Sequence, residues 1–185
     1  MIEADLGYET RLTVAGVVGR DVEFDRFRDH PRVTLLGAVA DLDPLYDSHR
    51  VFVVPTRYAA ELPHKIHEAA SFGIPVVAPE LLRAQLGWRD RRDLLVADAD
   101  DSAAFAQHVL TLYRSEGVWR GVRAGAAERI RVECGRDAYE DASAAVLWRA
   151  CDARRGSRTG RQARCGSTVA IFPIFRLVGC RCSVI

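Results

Sequence analysis

The chain has 185 residues, of which 49% are hydrophobic and 28% charged, with a formal net charge of +1. That length suits one domain with a core of its own, and the near-zero charge gives no whole-chain reason to expect nucleic acid or an acidic membrane as partner. The acidic start MIEADLGYETR lacks the apolar stretch of a secretory signal, and the longest uncharged apolar run near the other end, Thr168 to Phe175, is too short to span a bilayer.

In chain order, RLTVAGVV (Arg11 to Val18) is an apolar run of strand length, closed by Gly19 and Arg20. DVEFDRFRDH reads as a short amphipathic helix, RVTLL (Arg32 to Leu36) as a strand ended by Gly37, and DLDPLYDSH as a helix with Leu42, Leu45 and Tyr46 on one face. RVFVVP (Arg50 to Pro55) is the next strand, followed by a helix from Pro63 to Phe72, a strand from Pro75 to Ala78, a short helix in PELLRAQLGW and a strand at DLLVA. From Asp101 the pattern turns helical. Three helices are expected, with stripes at Phe105, Val109, Leu112 and Tyr113, then Trp119, Val122, Ala126 and Ile130, then Tyr139, Ala142 and Val146 with Leu147 and Trp148 beside them.

The strands are continuous apolar runs rather than alternating ones, the spelling of strands covered on both faces. Their alternation with helices predicts an α/β fold: a Rossmann-like parallel sheet of about five strands with helices on both faces, followed by C-terminal helices. Residues 1–152 form the expected domain. Residues 153–185 contain no acidic residue, seven arginines and three of the chain's five cysteines, and are expected to be a basic, disordered tail. A membrane contact through that tail stays open. No cysteine precedes Cys134, so the domain has no disulfide framework, and a reducing, cytoplasmic setting is the default.

The helix after Arg50–Pro55 carries the most chemistry. Lys65 is the only lysine among 26 basic residues. A helical wheel puts Leu62, Ile66, Ala69 and Ala70 on the core side and His64, His67, Glu68 and Ser71 opposite, with Lys65 flanking the polar face. A helix N-terminus after a strand and loop receives anions, because its first amides lack intrahelical partners and the dipole is positive there. Lys65 could join those amides on a phosphate, and Glu68 could accept hydrogen bonds from the vicinal hydroxyls of a ribose. The same two residues would equally make an exposed i, i+3 ion pair. The HKIHE spelling lacks the HExxH spacing of a zinc helix, so no metal is expected. Gly16-Val17-Val18-Gly19 is not GxGxxG, which argues against an NAD enzyme, and no nucleophile elbow is present.

From Leu12 to Ile130 the chain resembles the donor-binding domain of family 4 retaining glycosyltransferases of the GT-B fold. The resemblance runs through VTLLGAVADLDPLYDSHRVFVVPT, then RYAAELPHKIHEAASFGIPVVA, then PELLRAQLGWRDRRDLLVADADDSAAFAQHVLTLY, then RAGAAERIRVECG, with HKIHEA and GIPVV its most specific spelling. It implies a nucleoside-diphosphate sugar as substrate, transfer with retention, and no metal or other cofactor. It places Glu68 on the ribose, the loop from Glu61 through Pro63 to His64 at the diphosphate and sugar, Gly37 to Val39 near the base, and Gly16 to Arg20 toward the interdomain cleft. Glu61 and Lys65 are the candidates for a catalytic role.

Two departures accompany the resemblance. Glu61 and Glu68 have six residues between them, one fewer than the family pattern, so Ala60 stands where the first glutamate is expected. The family's first donor-domain strand and its acceptor domain have no counterpart here. The expectation is therefore a chain truncated at its N-terminus that supplies the donor-binding part, with a separate chain bringing the acceptor part. The alternative is a non-catalytic module that binds a nucleotide or a protein.

Overall fold

The structure is a computed structural model, and it describes residues 10–16, 27–58, 62–156 and 183–184. The chain divides into two compact units, Met1–Arg131 with Cys180–Ile185, and Val132–Gly179.

The first unit is built on one sheet. Its strands are β1 (Leu12–Ala15), β2 (Val33–Gly37), β3 (Phe52–Val53), β4 (Val76–Ala78), β5 (Leu95–Val96) and β6 (Ser183–Val184), in the spatial order β2-β1-β6-β3-β4-β5. Strand β1 pairs parallel with β2, and β4 pairs parallel with both β3 and β5. Strand β6 lies antiparallel between β1 and β3. Helices α1 (Asp43–Ser48), α2 (His64–Ser71), α3 (Glu80–Leu86), α4 (Ser102–Arg114) and α5 (Glu116–Glu133) follow the strands, as the alternation predicts.

Local chemistry sets the helix ends. Asp101 Oδ1 accepts a hydrogen bond from the Ala104 amide at 2.9 Å and so caps α4. Pro44 sits in the first turn of α1, where its missing N–H costs nothing. Gly87 closes α3 in the left-handed conformation.

The continuous apolar spelling is explained by two cores, one on each side of the sheet. Phe52, Val54, Val76 and Ala78 pack with Tyr46 of α1, Ile66, Ala69 and Ala70 of α2, and Leu82 of α3. Val51, Val77 and Leu95 pack with Phe105 and Leu112 of α4 and Val122 of α5. Neighbouring strand residues therefore point into different cores, and both must be apolar. Each fully buried large side chain contributes on the order of 2 kcal/mol of transfer free energy.

Helix α5 comes close enough to the segment before β5 that a Cβ on Gly125 would lie 2.0 Å from the Arg92 carbonyl oxygen. Only glycine fits there. Beside it, the Asp93 carboxylate is fully buried and accepts hydrogen bonds from the Arg89 amide, Nε and Nη2, each at 2.9 Å. Burial raises the carboxyl's pKa, but the Arg89 hydrogen bonds and charge, with help from Arg129, hold it below the ordinary value.

Several expectations need correction. Leu62 is exposed rather than in the core, because it lies in the loop ahead of α2, where a helical wheel has no meaning. The expected stripe at Tyr139, Val146, Leu147 and Trp148 is exposed along α6 (Arg136–Gly156), the helix of the second unit. That helix also runs past the expected boundary at residue 152. Of the expected tail, residues 157–182 and 185 lie outside the described ones, and Ser183 and Val184 form β6 within the sheet. The helix expected over DVEFDRFRDH falls mostly outside the described residues.

Candidate functional site

In an open parallel sheet, the loops that leave the carboxyl ends of the strands share one edge, and ligands bind there. At this edge the Gly16 amide donates to the Gly37 carbonyl at 2.7 Å, which joins the ends of β1 and β2. Gly37 has φ +68, with nothing within 4 Å of where a Cβ would stand. Its glycine requirement is therefore conformational rather than spatial. Val39 is half-buried in the loop between β2 and α1.

The loop leaving β3 leads into α2. Pro63 is buried at the N-cap of that helix and has no side-chain acceptor to offer its first amides. The first turn contains no acidic residue. Its positive end is thus not neutralised by its own cap or by its own carboxylates. His64 is exposed at the first helical position. Lys65 is half-buried, and its Nζ donates to Thr56 Oγ1 at 3.3 Å, which holds the ammonium over the loop after β3. That loop is tied to the loop between β5 and α4 by an exposed ion pair, Arg57 with Asp100 at 2.8 Å.

Glu68 is exposed one turn along α2 from Lys65. Beneath it lies the Tyr46 ring, 2% exposed, stacked on Phe72 at 4.9 Å and tilted against Phe52 at 5.9 Å. The Tyr46 hydroxyl is buried without a regular hydrogen-bond partner, yet it is close enough to Glu68 to feel the carboxylate. Burial first, then the charge and loose contact of Glu68, push its pKa well above the usual phenol range. His67, expected on the solvent face, is instead half-buried, edge-on to the buried Trp88 at 5.6 Å.

The structure thus joins Gly16 to Gly37 and Lys65 to Thr56, and sets Pro63, His64, Lys65 and Glu68 along one short helix. Arg20 and Glu61, the remaining expected site residues, lie outside the described residues. Among the described residues no group of three His, Cys, Asp or Glu side chains could hold a metal. Two residues were missed by the sequence reading of the site. Thr56 gave no periodic signal, and Tyr46 was read only as part of a core face.

Fold and site define a Rossmann-like α/β domain with an uncapped helix start and a cation at the carboxyl edge of its sheet. The family model described as "Glycosyl transferases group 1" matches residues 2–115, and the chain belongs to that family. Among curated proteins none matches it. Among solved structures it is similar to a sucrose-phosphate synthase from Thermosynechococcus elongatus, with TM-score 0.59 and 21% identity over 77% of this chain and 38% of that one. It is also similar to Anabaena HepE in complex with UDP, with TM-score 0.54 and 19% identity over 65% of this chain and 35% of that one. TarM matches with TM-score 0.54 and 16% identity over 64% of this chain and 24% of that one. At these identities the likeness establishes the fold, which is that of GT-B domains. The chain spans well under half the length of each of these proteins.

Proposed function

We propose that this chain is the nucleotide-sugar-binding part of a family 4 glycosyltransferase that transfers a sugar from a nucleoside diphosphate with retention of configuration. One observation carries the reading. The start of α2, free of capping side chains and of acidic residues, stands at the carboxyl edge beside Lys65, and Glu68 follows one turn on. Amides and ammonium would hold the diphosphate, and Glu68 would take the ribose hydroxyls. Gly37 to Val39 would border the base, Glu61, Pro63 and His64 the diphosphate and sugar, and Gly16 and Arg20 would face the interdomain cleft. The charge that develops on the departing diphosphate would be stabilised by those same amides and by Lys65, with no metal required. The HepE structures with UDP and with UDP-glucose support a uridine nucleotide as the first ligand to test.

The chain spans 38% of the sucrose-phosphate synthase and 35% of HepE, so the reading is confined to the donor-binding part. The second reading is a module that binds a nucleotide or a protein without catalysis. Calorimetric titration with UDP, GDP and UDP-glucose tests the donor site, and release of sugar from UDP-glucose separates a transferase from a module that only binds the nucleotide. Binding that Glu68→Ala weakens by about tenfold or more supports the donor site. Absence of binding by all three ligands would sink it and leave the interaction module.

A further inference from the structure

Glu68 and Phe72 stand four residues apart on α2 and so share one flank of that helix. Phe72 is the helix C-cap, and its amide donates to the Glu68 carbonyl at 3.3 Å. Its ring lies on the Tyr46 ring of α1, with centroids 4.9 Å apart and planes 20° from parallel. Tyr46 thus packs beneath the flank of α2 that carries Glu68.

The two side chains differ in freedom. The Tyr46 ring is 2% exposed and held between Phe72 and Phe52, with the Phe52 centroid at 5.9 Å. Packing fixes both of its side-chain torsions, so the hydroxyl oxygen is a fixed point and only its hydrogen turns. Glu68 is exposed, and an exposed glutamate samples several rotamers, a freedom that is lost when a ligand fixes one of them.

Their chemistry is complementary. The Tyr46 hydroxyl is buried and has no hydrogen-bond partner among the described residues. Burial first, and the Glu68 carboxylate second, keep it protonated, so it meets that carboxylate as a donor. An ionised carboxylate only accepts, and it has about four lone-pair sites. Two vicinal hydroxyls would use two of them. The phenol can donate to a third without competing with the sugar.

We propose, on the reading of Glu68 as the ribose carboxylate, that Tyr46 is a positioning residue: as Glu68 takes the ribose hydroxyls, the buried phenol donates to the same carboxylate from beneath and selects its bound rotamer. The bond left unmade in the free chain is made in the complex. Part of the cost of ordering Glu68 is then offset only when a ribose with both hydroxyls is bound. Tyr46 thereby sets the preference for ribonucleotides over nucleotides that lack those hydroxyls. Its helix follows the loop of Gly37 to Val39, so the elements assigned to the base and to the ribose are joined through one packed ring.

Calorimetry on the full chain compares UDP with its 2′,3′-dideoxy analogue. The native chain should prefer UDP about tenfold. Tyr46→Phe should cut that preference to about threefold or less, by weakening UDP rather than the analogue, with an unchanged melting temperature. In a Glu68→Ala background the same substitution should change neither affinity. A full preference in Tyr46→Phe overturns the positioning role and leaves Glu68 on the ribose. An equal loss of both affinities, or a lowered melting temperature, overturns it too, since Tyr46 would then act by packing. So does a further loss of UDP affinity in the Glu68→Ala background. No preference in the native chain removes the ribose reading of Glu68 and the role of Tyr46 with it.

Discussion

Lys65 Nζ donates a hydrogen bond to Thr56 Oγ1 at 3.3 Å, which ties the first turn of α2 to the loop that leaves β3. A flexible ammonium is thereby held at the sheet's carboxyl edge before any ligand arrives. Preorganisation of this kind lowers the entropy cost of binding an anion. Lys65→Ala should weaken UDP binding about tenfold, and Thr56→Val about threefold through loss of positioning alone. Calorimetry on the two single variants and the double variant tests the coupling. If the effects of the two substitutions simply add, the hydrogen bond does not position the lysine.

The role given to Glu68 can be read without turnover. If its carboxylate takes both ribose hydroxyls, UDP should bind the native chain about tenfold more tightly than the 2′,3′-dideoxy analogue. Glu68→Ala should abolish that preference while its residual affinity still depends on Lys65. An unchanged preference in the variant would place Glu68 elsewhere.

Tyr46 separates packing from chemistry. Its hydroxyl is buried and has no regular hydrogen-bond partner. Tyr46→Phe should therefore leave stability within about 1 kcal/mol, while Tyr46→Ala, which removes a ring between Phe52 and Phe72, should cost about 3 kcal/mol or more. Urea denaturation measures both. A large loss in the Phe variant would show that the loose contact with Glu68 matters.

Asp93 predicts a dependence on pH. Its folded pKa is depressed, so the protonated form is disfavoured by the native state. The stabilisation from Arg89 and Arg129 is fully present above the unfolded carboxyl pKa of about 3.9 and is lost as pH falls through the lower folded value. Asp93→Asn should cost about 3 kcal/mol at neutral pH, because it leaves the facing arginines without their charge partner. It should also flatten the decline in stability on the acid side, which chemical denaturation between neutral and acid pH would reveal.

Two glycines of α5 make a paired test of packing. Gly125→Ala drives a methyl into the Arg92 carbonyl and should destabilise by about 2 kcal/mol. Gly121 has nothing within 4 Å, so Gly121→Ala should instead stabilise by several tenths of a kcal/mol up to about 1 kcal/mol through helix propensity. Equal effects on the melting temperature would contradict the close approach of α5.

Much of the fold was legible because periodicity reports burial. The runs 51–55 and 75–78 are apolar at every position because β3 and β4 divide their side chains between two cores. The stripe from Phe105 to Tyr113 was legible for the same reason, since α4 turns that face onto the sheet. Periodicity misled where a residue left its element, as Leu62 did, and where an apolar stripe is exposed, as on α6. The lysine and the carboxylate on α2 could be read from composition and from a helical wheel. The hydroxyl of Thr56 and the buried phenol of Tyr46 could not, because loop contacts and contacts between elements have no period.

What the sequence by itself determined was the α/β alternation, the two-sided burial of the strands and the placing of Pro63, Lys65 and Glu68 on one helix. These follow from local propensity and from the spacing of apolar residues along the chain. Only the tertiary structure decided which segment stands at the centre of the sheet and which residue holds Lys65. Strand order is a matter of long-range pairing: Val184 meets Val14 and Val53 although most of the chain separates them in sequence.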